Sequence, residues 1–257
     1  MSENRPLDGI VTGHETRFDF PEYTGAPRPY LFASVPRSGS SYVSHLMWRT
    51  GCLGAPLEYM NFAPTGPLGA MHGSRAAQEE SWQRVLRTRT SPNGVFGMKA
   101  FPAQMEDLGR LNPPLLGRVM RFFLANGAES RVIQLRRRDR TAHAISLARA
   151  SLSGVWRREQ ESAGSSEPDY SPEMMERART SIEAQESAWQ AMYRDLGIAP
   201  LVLWYEDVRE DETAALEAVA AYLGVALDPA CAVDIPMVER QSQAGARAWQ
   251  ARYAKDG

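Results

Sequence analysis

The chain has 257 residues, which is long enough for one large α/β domain, and a formal net charge of −2. Hydrophobic residues make up 43% and charged residues 23%, a globular composition that excludes a disordered chain, a coiled coil and a collagen. The small net charge argues against a general binder of nucleic acids or membrane surfaces, and no apolar stretch reaches the ~18 residues of a membrane span. Cys52 and Cys231 form neither a disulfide framework nor a zinc site, and the N-terminus lacks the pattern of a signal peptide, so we expect a cytoplasmic protein with no metal.

Short apolar strands alternate with amphipathic helices along the chain. Strands are predicted at residues 30–35, 94–98, 131–135 and 200–204. Helices are predicted at residues 40–50, from Ser74, from Asn112 to about 127, from Asp139 to about 152, at 171–196 and at 211–223, with a mobile polar loop at 153–170. This alternation predicts an α/β fold, a single domain whose central, mostly parallel sheet has helices on both faces.

The turn between the first strand and the first helix has the residues of an anion-binding loop. Gly39 permits close approach of the backbone, and the start of the helix offers free N–H groups and the positive end of the helix dipole. Hydroxyl donors and a guanidinium surround the glycine, at Arg37, Ser38, Ser40 and Ser41. A turn that only caps a helix is the alternative. The loop lacks the Gly-Lys-Ser/Thr sequence of the nucleoside triphosphatases.

A second basic turn follows the strand at 131–135. Four arginines lie within residues 136–140, and Ser146 follows on the next helix. Such a run either binds an anion or is a solvated surface. Two anion-binding turns in one parallel sheet favour a ligand that is phosphorylated at two places.

The two turns together resemble the sulfotransferases that use 3′-phosphoadenosine 5′-phosphosulfate (PAPS). The sequence PRSGSS resembles their 5′-phosphosulfate loop, and LRRRDRTAHAIS resembles their 3′-phosphate motif. The closer resemblance is to the bacterial trehalose and lipopolysaccharide-type sulfotransferase family. Further segments that match this family occur in order: PLEY at 56–59, GVFGMK at 94–99, VWR at 155–157, ERQ at 239–241 and WQARY at 249–253.

The resemblance implies a P-loop-like sulfotransferase fold over residues 29–257, after an N-terminal extension of residues 1–28. It implies transfer of a sulfuryl group from PAPS to a hydroxyl of a carbohydrate or glycolipid. Glu58 is the implied general base, Lys99 is the implied electrophilic stabiliser at the sulfate end of the donor, and Arg37 is implied to hold the leaving phosphate. The implied donor-binding residues are Arg37, Ser38, Gly39, Ser40 and Ser41 at the 5′ end, with Ser146 and either Arg137 or Arg138 at the 3′-phosphate. The acceptor is expected to touch Glu58, Tyr59, His72 and Trp156.

Two other functions stay open at this point. A P-loop-like nucleotide kinase would need charge partners that the first turn lacks. A nucleotide-binding module without catalysis would bind the donor and transfer nothing. The expected partner is a small-molecule hydroxyl acceptor rather than a nucleic acid, and the resembled family includes homodimers, so a homodimer is a further expectation.

Overall fold

Four parallel strands form the central sheet of the computed structural model, which describes residues 7, 9–161, 167–238, 241 and 243–256. The strands are β1 Arg28–Ala33, β2 Val95–Ala100, β3 Val132–Arg136 and β4 Leu201–Trp204. Their order across the sheet is β2-β1-β3-β4, and every pairing between them is parallel. The predicted parallel α/β sheet and its four strands are confirmed, with bounds that differ by one or two residues.

Nine α-helices accompany the sheet in the described part of the chain. Three of the predicted helix starts are confirmed by their caps, since Ser74, Asn112 and Asp139 each accept a hydrogen bond from a backbone N–H in the first turn. The helices are α1 Ser40–Arg49, α2 Arg75–Thr88, α3 Pro102–Leu111, α4 Pro113–Leu124, α5 Arg140–Ser153, α6 Pro172–Leu196, α7 Tyr205–Glu210, α8 Glu212–Leu223 and α9 Gln243–Asp256. No helix in the described ranges is both long enough and apolar enough to cross a membrane.

Both faces of the sheet are covered because its strands are apolar at successive positions. Leu31 and Ala33 of β1 pack into one hydrophobic cluster with residues of α2, α3, α4 and the end of α6. Tyr30 and Phe32 point to the opposite face and pack with residues of α1 and α8. A third cluster joins α5, α6 and α9. The expected arrangement of helices on both faces is thus observed.

The strand order places a crevice at the carboxyl ends of β1 and β3. From β1 the chain crosses to β2 on one side and later returns to β3 on the other side. The loops that leave β1 and β3 therefore diverge at a topological switch point, where open α/β sheets bind ligands. These loops are the two turns that are predicted to bind anions.

Three helices have no counterpart in the sequence-based prediction: α3, α7 and α9. Glu206 and Asp207 lie in the first turn of α7. Within the expected loop at 153–170, residues 158–160 form a short 3₁₀ turn, and residues 162–166 lie outside the described ranges.

Candidate active site

A cavity of about 370 Å³ lies between the loops that follow β1 and β3. Arg37, Gly39, Ser40 and Ser41 line it on the β1 side. Arg137 and Ser146 line it on the β3 side. The two predicted anion-binding segments therefore meet at one cavity.

Positive charge dominates the lining of this cavity. Among its described lining residues, two are acidic, Asp139 and Glu159. Seven are arginines, namely Arg37, Arg137, Arg149, Arg157, Arg158, Arg209 and Arg247. This excess of guanidinium groups in a concave, partly buried space favours a ligand that carries several negative charges.

Arg37 connects distant segments of the cavity wall. Its Nε donates to Ser146 Oγ at 3.1 Å, and its other nitrogens donate to the Trp156 carbonyl and to Gln241 Oε1. Burial and the neighbouring Arg137 and Arg149 lower the pKa of Arg37 to about 10, so it stays charged at neutral pH. Its backbone has a φ of 68°, the one positive value at a non-glycine residue in the described chain. Such strain costs about 1–3 kcal/mol and persists where surrounding contacts fix it.

Gly39 gives the loop its shape. Its φ is 94°, and a Cβ atom at this position would come within 2.2 Å of the Tyr205 ring. Ser38 is buried, and its Oγ lies 2.8 Å from Ser34 Oγ. The hydroxyl of Ser38 thus braces the loop from behind, whereas Ser40 and Ser41 face the cavity.

The two candidate arginines for the 3′-phosphate have different positions. Arg137 lines the cavity, donates to the Arg37 carbonyl at 3.4 Å and lies over the Tyr205 ring. Arg138 is half-exposed, lies over the Trp204 ring and forms a bidentate ion pair with Asp207. This ion pair raises the pKa of Arg138 through its hydrogen bonds. In this geometry Arg137 faces the ligand space and Arg138 faces away from it.

Glu58 and Lys99 are brought together by an isolated bridge beside β2. Leu57 pairs with Met98 in parallel, and the Lys99 N–H donates to the Leu57 carbonyl at 3.1 Å. The next residues then place Glu58 Oε1 at 2.9 Å from Lys99 Nζ. The same ammonium donates to Ser41 Oγ at 3.0 Å. Lys99 therefore links the carboxylate to the anion-binding loop.

The second oxygen of Glu58 is also fully engaged. Oε2 accepts hydrogen bonds from Gln104 at 2.6 Å and from Asn61 at 3.0 Å. Burial alone raises the pKa of Glu58, but the charge of Lys99 and the hydrogen bonds from Lys99 and Gln104 outweigh it and lower the pKa to about 2. Glu58 is therefore ionised near neutral pH, and hydrogen bonds and the ion pair with Lys99 stabilise its charge.

The other residues predicted to touch the acceptor lie in different environments. Trp156 lines the cavity, and its carbonyl accepts from Arg37. Tyr59 is buried in the core, where it stacks on Phe96 and donates to the Ala55 carbonyl. The His72 ring bonds the Phe62 carbonyl at 2.9 Å, and neither His72 nor Tyr59 lines the cavity.

Two residues near the site were absent from the predicted set. Arg157 belongs to the VWR segment, lines the cavity, and its charge acts on both Glu58 and Lys99. The charges of Glu58 and Lys99 act on His14, although His14 lies in the segment predicted to be an extension. The VWR motif at 155–157 already points to Arg157 as a site residue, whereas none of the quoted motifs contains His14. Of the ERQ segment, Glu239 and Arg240 lie outside the described residues.

Metal-binding side chains are not clustered in the parts of the chain that the structure describes. These parts contain no group of three or more histidine, cysteine, aspartate or glutamate residues that could hold a metal ion. The expectation of a protein without metal stays a prediction.

Two curated proteins are similar to this chain over most of its length. One is the trehalose 2-sulfotransferase of Mycobacterium tuberculosis, 26% identical over 256 residues, which cover 89% of this chain and 95% of the relative. The other is the trehalose 2-sulfotransferase of Mycolicibacterium smegmatis, 24% identical over 258 residues, which cover 90% and 96%.

Solved structures that match this chain include a mouse sulfotransferase complexed with PAP, at a TM-score of 0.46 and 12% identity over 82% of this chain and 63% of that chain. They also include the sulfotransferase domain of a Synechococcus olefin synthase, at a TM-score of 0.43 and 14% identity over 91% and 98%. The model of the Stf0 sulphotransferase family matches residues 29–256, which span the sheet, both anion-binding loops and the Glu58–Lys99 pair. The chain is a sulfotransferase and belongs to the Stf0 family.

Proposed function

We propose that this sulfotransferase transfers a sulfuryl group from PAPS to a hydroxyl of a carbohydrate or glycolipid, with trehalose as the first acceptor to test. The observation that carries the donor assignment is that both loops line one cavity, whose described lining holds seven arginines and two acidic residues. PAPS carries anionic groups at both the 5′ and the 3′ position of its ribose, and the two loops offer donors at two separate places. Both curated relatives are trehalose 2-sulfotransferases by name, which supports a sugar acceptor.

At the 5′ end, the start of α1 and the hydroxyls of Ser40 and Ser41 would hold the phosphosulfate. The N–H groups of a helix start and its dipole favour an anion there. Lys99, within hydrogen-bonding reach of Ser41, would stabilise the negative charge that grows on the leaving phosphate. At the other end, Arg137 and Ser146 would bind the 3′-phosphate and so contribute binding energy far from the reacting bond.

The donor supplies an activated sulfuryl group, and the chain must remove the proton of the attacking hydroxyl. We assign this to Glu58, because it is ionised and lies beside Lys99. While it is paired with Lys99 it is a weak base. An anion bound at Ser41 would compete with Glu58 for the ammonium, and the pKa of Glu58 would then rise. Membership of the family favours this reaction over the nucleotide kinase and over a module without catalysis.

The first experiment identifies donor and acceptor. Purified protein is incubated with PAPS and one acceptor in each reaction: trehalose, maltose, sucrose, glucose or a glycolipid. The products are analysed by mass spectrometry for an added sulfate. In parallel, 3′,5′-ADP should raise the melting temperature, whereas ATP with magnesium should not. Equal protection by both nucleotides or by neither, together with no sulfated product, would overturn the proposal.

Glu58→Gln tests the assignment of the base. We expect kcat to fall about 10²- to 10⁴-fold, the usual contribution of a general base, while the shift of melting temperature by 3′,5′-ADP is retained. Glu106→Gln is the matched control, because Glu106 is an exposed carboxylate on the nearby helix α3, and it should keep the wild-type rate. A Glu58→Gln enzyme with a rate within twofold of wild type would exclude Glu58 as the base.

The expected homodimer and the cytoplasmic address stay predictions, as does the boundary between residues 1–28 and 29–257.

A further inference from the structure

The segment at residues 12–20, here called the N-terminal strap, is tied firmly to the domain although it precedes the family match. Arg89 is fully buried and donates to the carbonyls of Gly13 and Glu15, each at 2.9 Å. It also forms an ion pair with Asp19 at 2.8 Å. Phe20 is buried, and its N–H donates to the Thr88 carbonyl. A buried guanidinium with all of these partners on one segment holds that segment in place.

The N-terminal strap lies directly over the segment that carries Glu58. Gly13 has a φ of 88°, and a Cβ atom there would lie 3.1 Å from the Trp48 ring and 3.4 Å from the Leu57 side chain. The backbone of the strap thus packs on the residue that precedes Glu58. From the cavity side, Arg157 donates to the Thr12 carbonyl at 3.4 Å. The strap therefore connects the Glu58 segment with the wall of the donor cavity.

His14 of the strap contacts the residue that follows Glu58 in the chain. Its ring lies edge-on to Tyr59, with centroids 5.9 Å apart, and Tyr59 is the neighbour of Glu58 in the chain. The charges that act on His14 are those of Arg89, Glu58, Arg157 and Lys99. Burial, and then Arg89, lower the pKa of His14 to about 3, so the imidazole is neutral and offers one donor and one acceptor.

The ring nitrogens of His14 differ from those of the other three histidines. His45, His72 and His143 each bond a backbone carbonyl, at 2.6, 2.9 and 2.8 Å. No such bond is made by the ring of His14 within the described part of the chain, although the side chain is partly buried. The ring nitrogens of His14 are also not among the buried polar atoms that lack a partner, so they are open to solvent and a ligand hydroxyl can reach them.

We infer that His14 binds the acceptor, and that its imidazole hydrogen-bonds a sugar hydroxyl next to the one that Glu58 deprotonates. The inference rests on the proposed function and deepens it, because it adds a residue outside the family match to the acceptor site. His14 would thus determine which hydroxyl is presented to the sulfuryl group. A hydroxyl is the group that a neutral imidazole with one donor and one acceptor satisfies on both sides.

The test compares wild-type enzyme with His14→Ala, His14→Gln and Thr16→Ala, using PAPS and the sugars of the panel above. For His14→Ala we expect the KM for the sugar to rise roughly three- to tenfold, the effect of one lost hydrogen bond. The KM for PAPS and the shift of melting temperature by 3′,5′-ADP should not change. His14→Gln should recover part of the loss, since its amide also donates and accepts. Thr16→Ala, at an exposed position of the same strap, should match wild type.

The outcomes separate this inference from the function on which it rests. A sugar KM within twofold of wild type in His14→Ala overturns the inference alone. Equal losses in sugar KM, PAPS KM and melting temperature also overturn it, because they indicate a structural role. A wild-type enzyme that sulfates none of the sugars overturns the proposed function and the inference with it.

Discussion

Arg137 and Arg138 are neighbours in the chain with opposite environments. Arg137 lines the cavity, with a side chain that is 13% exposed, and its Nε lies 4.0 Å from Glu206. Arg138 is 50% exposed and already has a carboxylate partner in Asp207. A surface ion pair of this kind contributes little to stability. The two arginines therefore form a matched pair for testing the 3′-phosphate site.

Arg137→Ala should weaken binding of 3′,5′-ADP about 10- to 100-fold, because it removes a charge-assisted hydrogen bond worth about 1.5–3 kcal/mol. Arg138→Ala should change this affinity less than twofold. Isothermal titration calorimetry with 3′,5′-ADP measures both values. Equal weakening in the two variants would show that the cavity acts through its overall charge, and loss only in Arg138→Ala would reverse the assignment.

At this scale the sequence predicts the segments of the site better than the individual residues. The apolar pattern predicts the alternation of strands and helices along the chain. In a parallel sheet this alternation brings residues 37–41 and 137–146, which follow strand ends, to the same edge. Which arginine faces inward depends on Asp207, 69 positions away along the chain, and no local pattern encodes it. His14 was missed for the same reason, because its position depends on the buried Arg89.

Among the structural elements, the loop between β1 and α1 has a backbone that leaves no room for a side chain at Gly39. Gly39→Ala would place a methyl group 2.2 Å from the Tyr205 ring at a residue with a φ of 94°, a conformation that side chains rarely adopt. We expect the loop to be displaced and the affinity for 3′,5′-ADP to fall at least tenfold, as measured by calorimetry. Gly73→Ala is the control, since a Cβ atom there has nothing within 4 Å, and it should bind as wild type does. Unchanged affinity in Gly39→Ala would mean that the loop adjusts without cost.

The elements that the sequence predicts are those with strong caps or continuous apolar runs. Helices α4 and α5 begin after Asn112 and Asp139, whose side chains cap them as expected. Helix α3 begins at Pro102 with no side-chain cap, and α7 is only six residues long. In α9 the apolar residues are few and include alanines, so its helical periodicity is weak. Tertiary contacts, such as the bond from Trp249 to the Pro168 carbonyl, decide its place.

For the molecule as a whole, buried histidines make stability depend on pH. Burial lowers the pKa of His45 and of His143 to about 4, and that of His14 to about 3. In the unfolded chain these rings have a pKa near 6.5. Between these values the unfolded state binds more protons than the folded state, so the stability that is fully present above about pH 6.5 is lost as the pH falls.

The free energy of unfolding should therefore decrease from pH 7.5 to pH 5.5, with a slope that approaches about 1.4 kcal/mol per pH unit for each such histidine. Urea unfolding followed by circular dichroism over this range measures the slope. His143→Gln should reduce this slope by up to about 1.4 kcal/mol per pH unit, the contribution of one histidine, although the variant is less stable at pH 7.5. The carboxylate of Glu58 contributes in a lower window, between about pH 4.5 and 2, because its pKa is lowered to about 2. A flat profile, or the same slope in His143→Gln, would contradict the expectation.

One consequence concerns the timing of synthesis. Arg37 bonds Gln241, which lies 204 positions later in the chain. At translation rates of ~5–20 residues per second, the ribosome needs roughly 10 to 40 s to pass from one to the other. A nascent chain therefore contains Arg37 and its turn long before Gln241, so the bond between the two residues forms only in the last stage of synthesis. Polypeptides that end before residue 241 would lack this hydrogen bond and would hold the Arg37 guanidinium through Ser146 and Trp156.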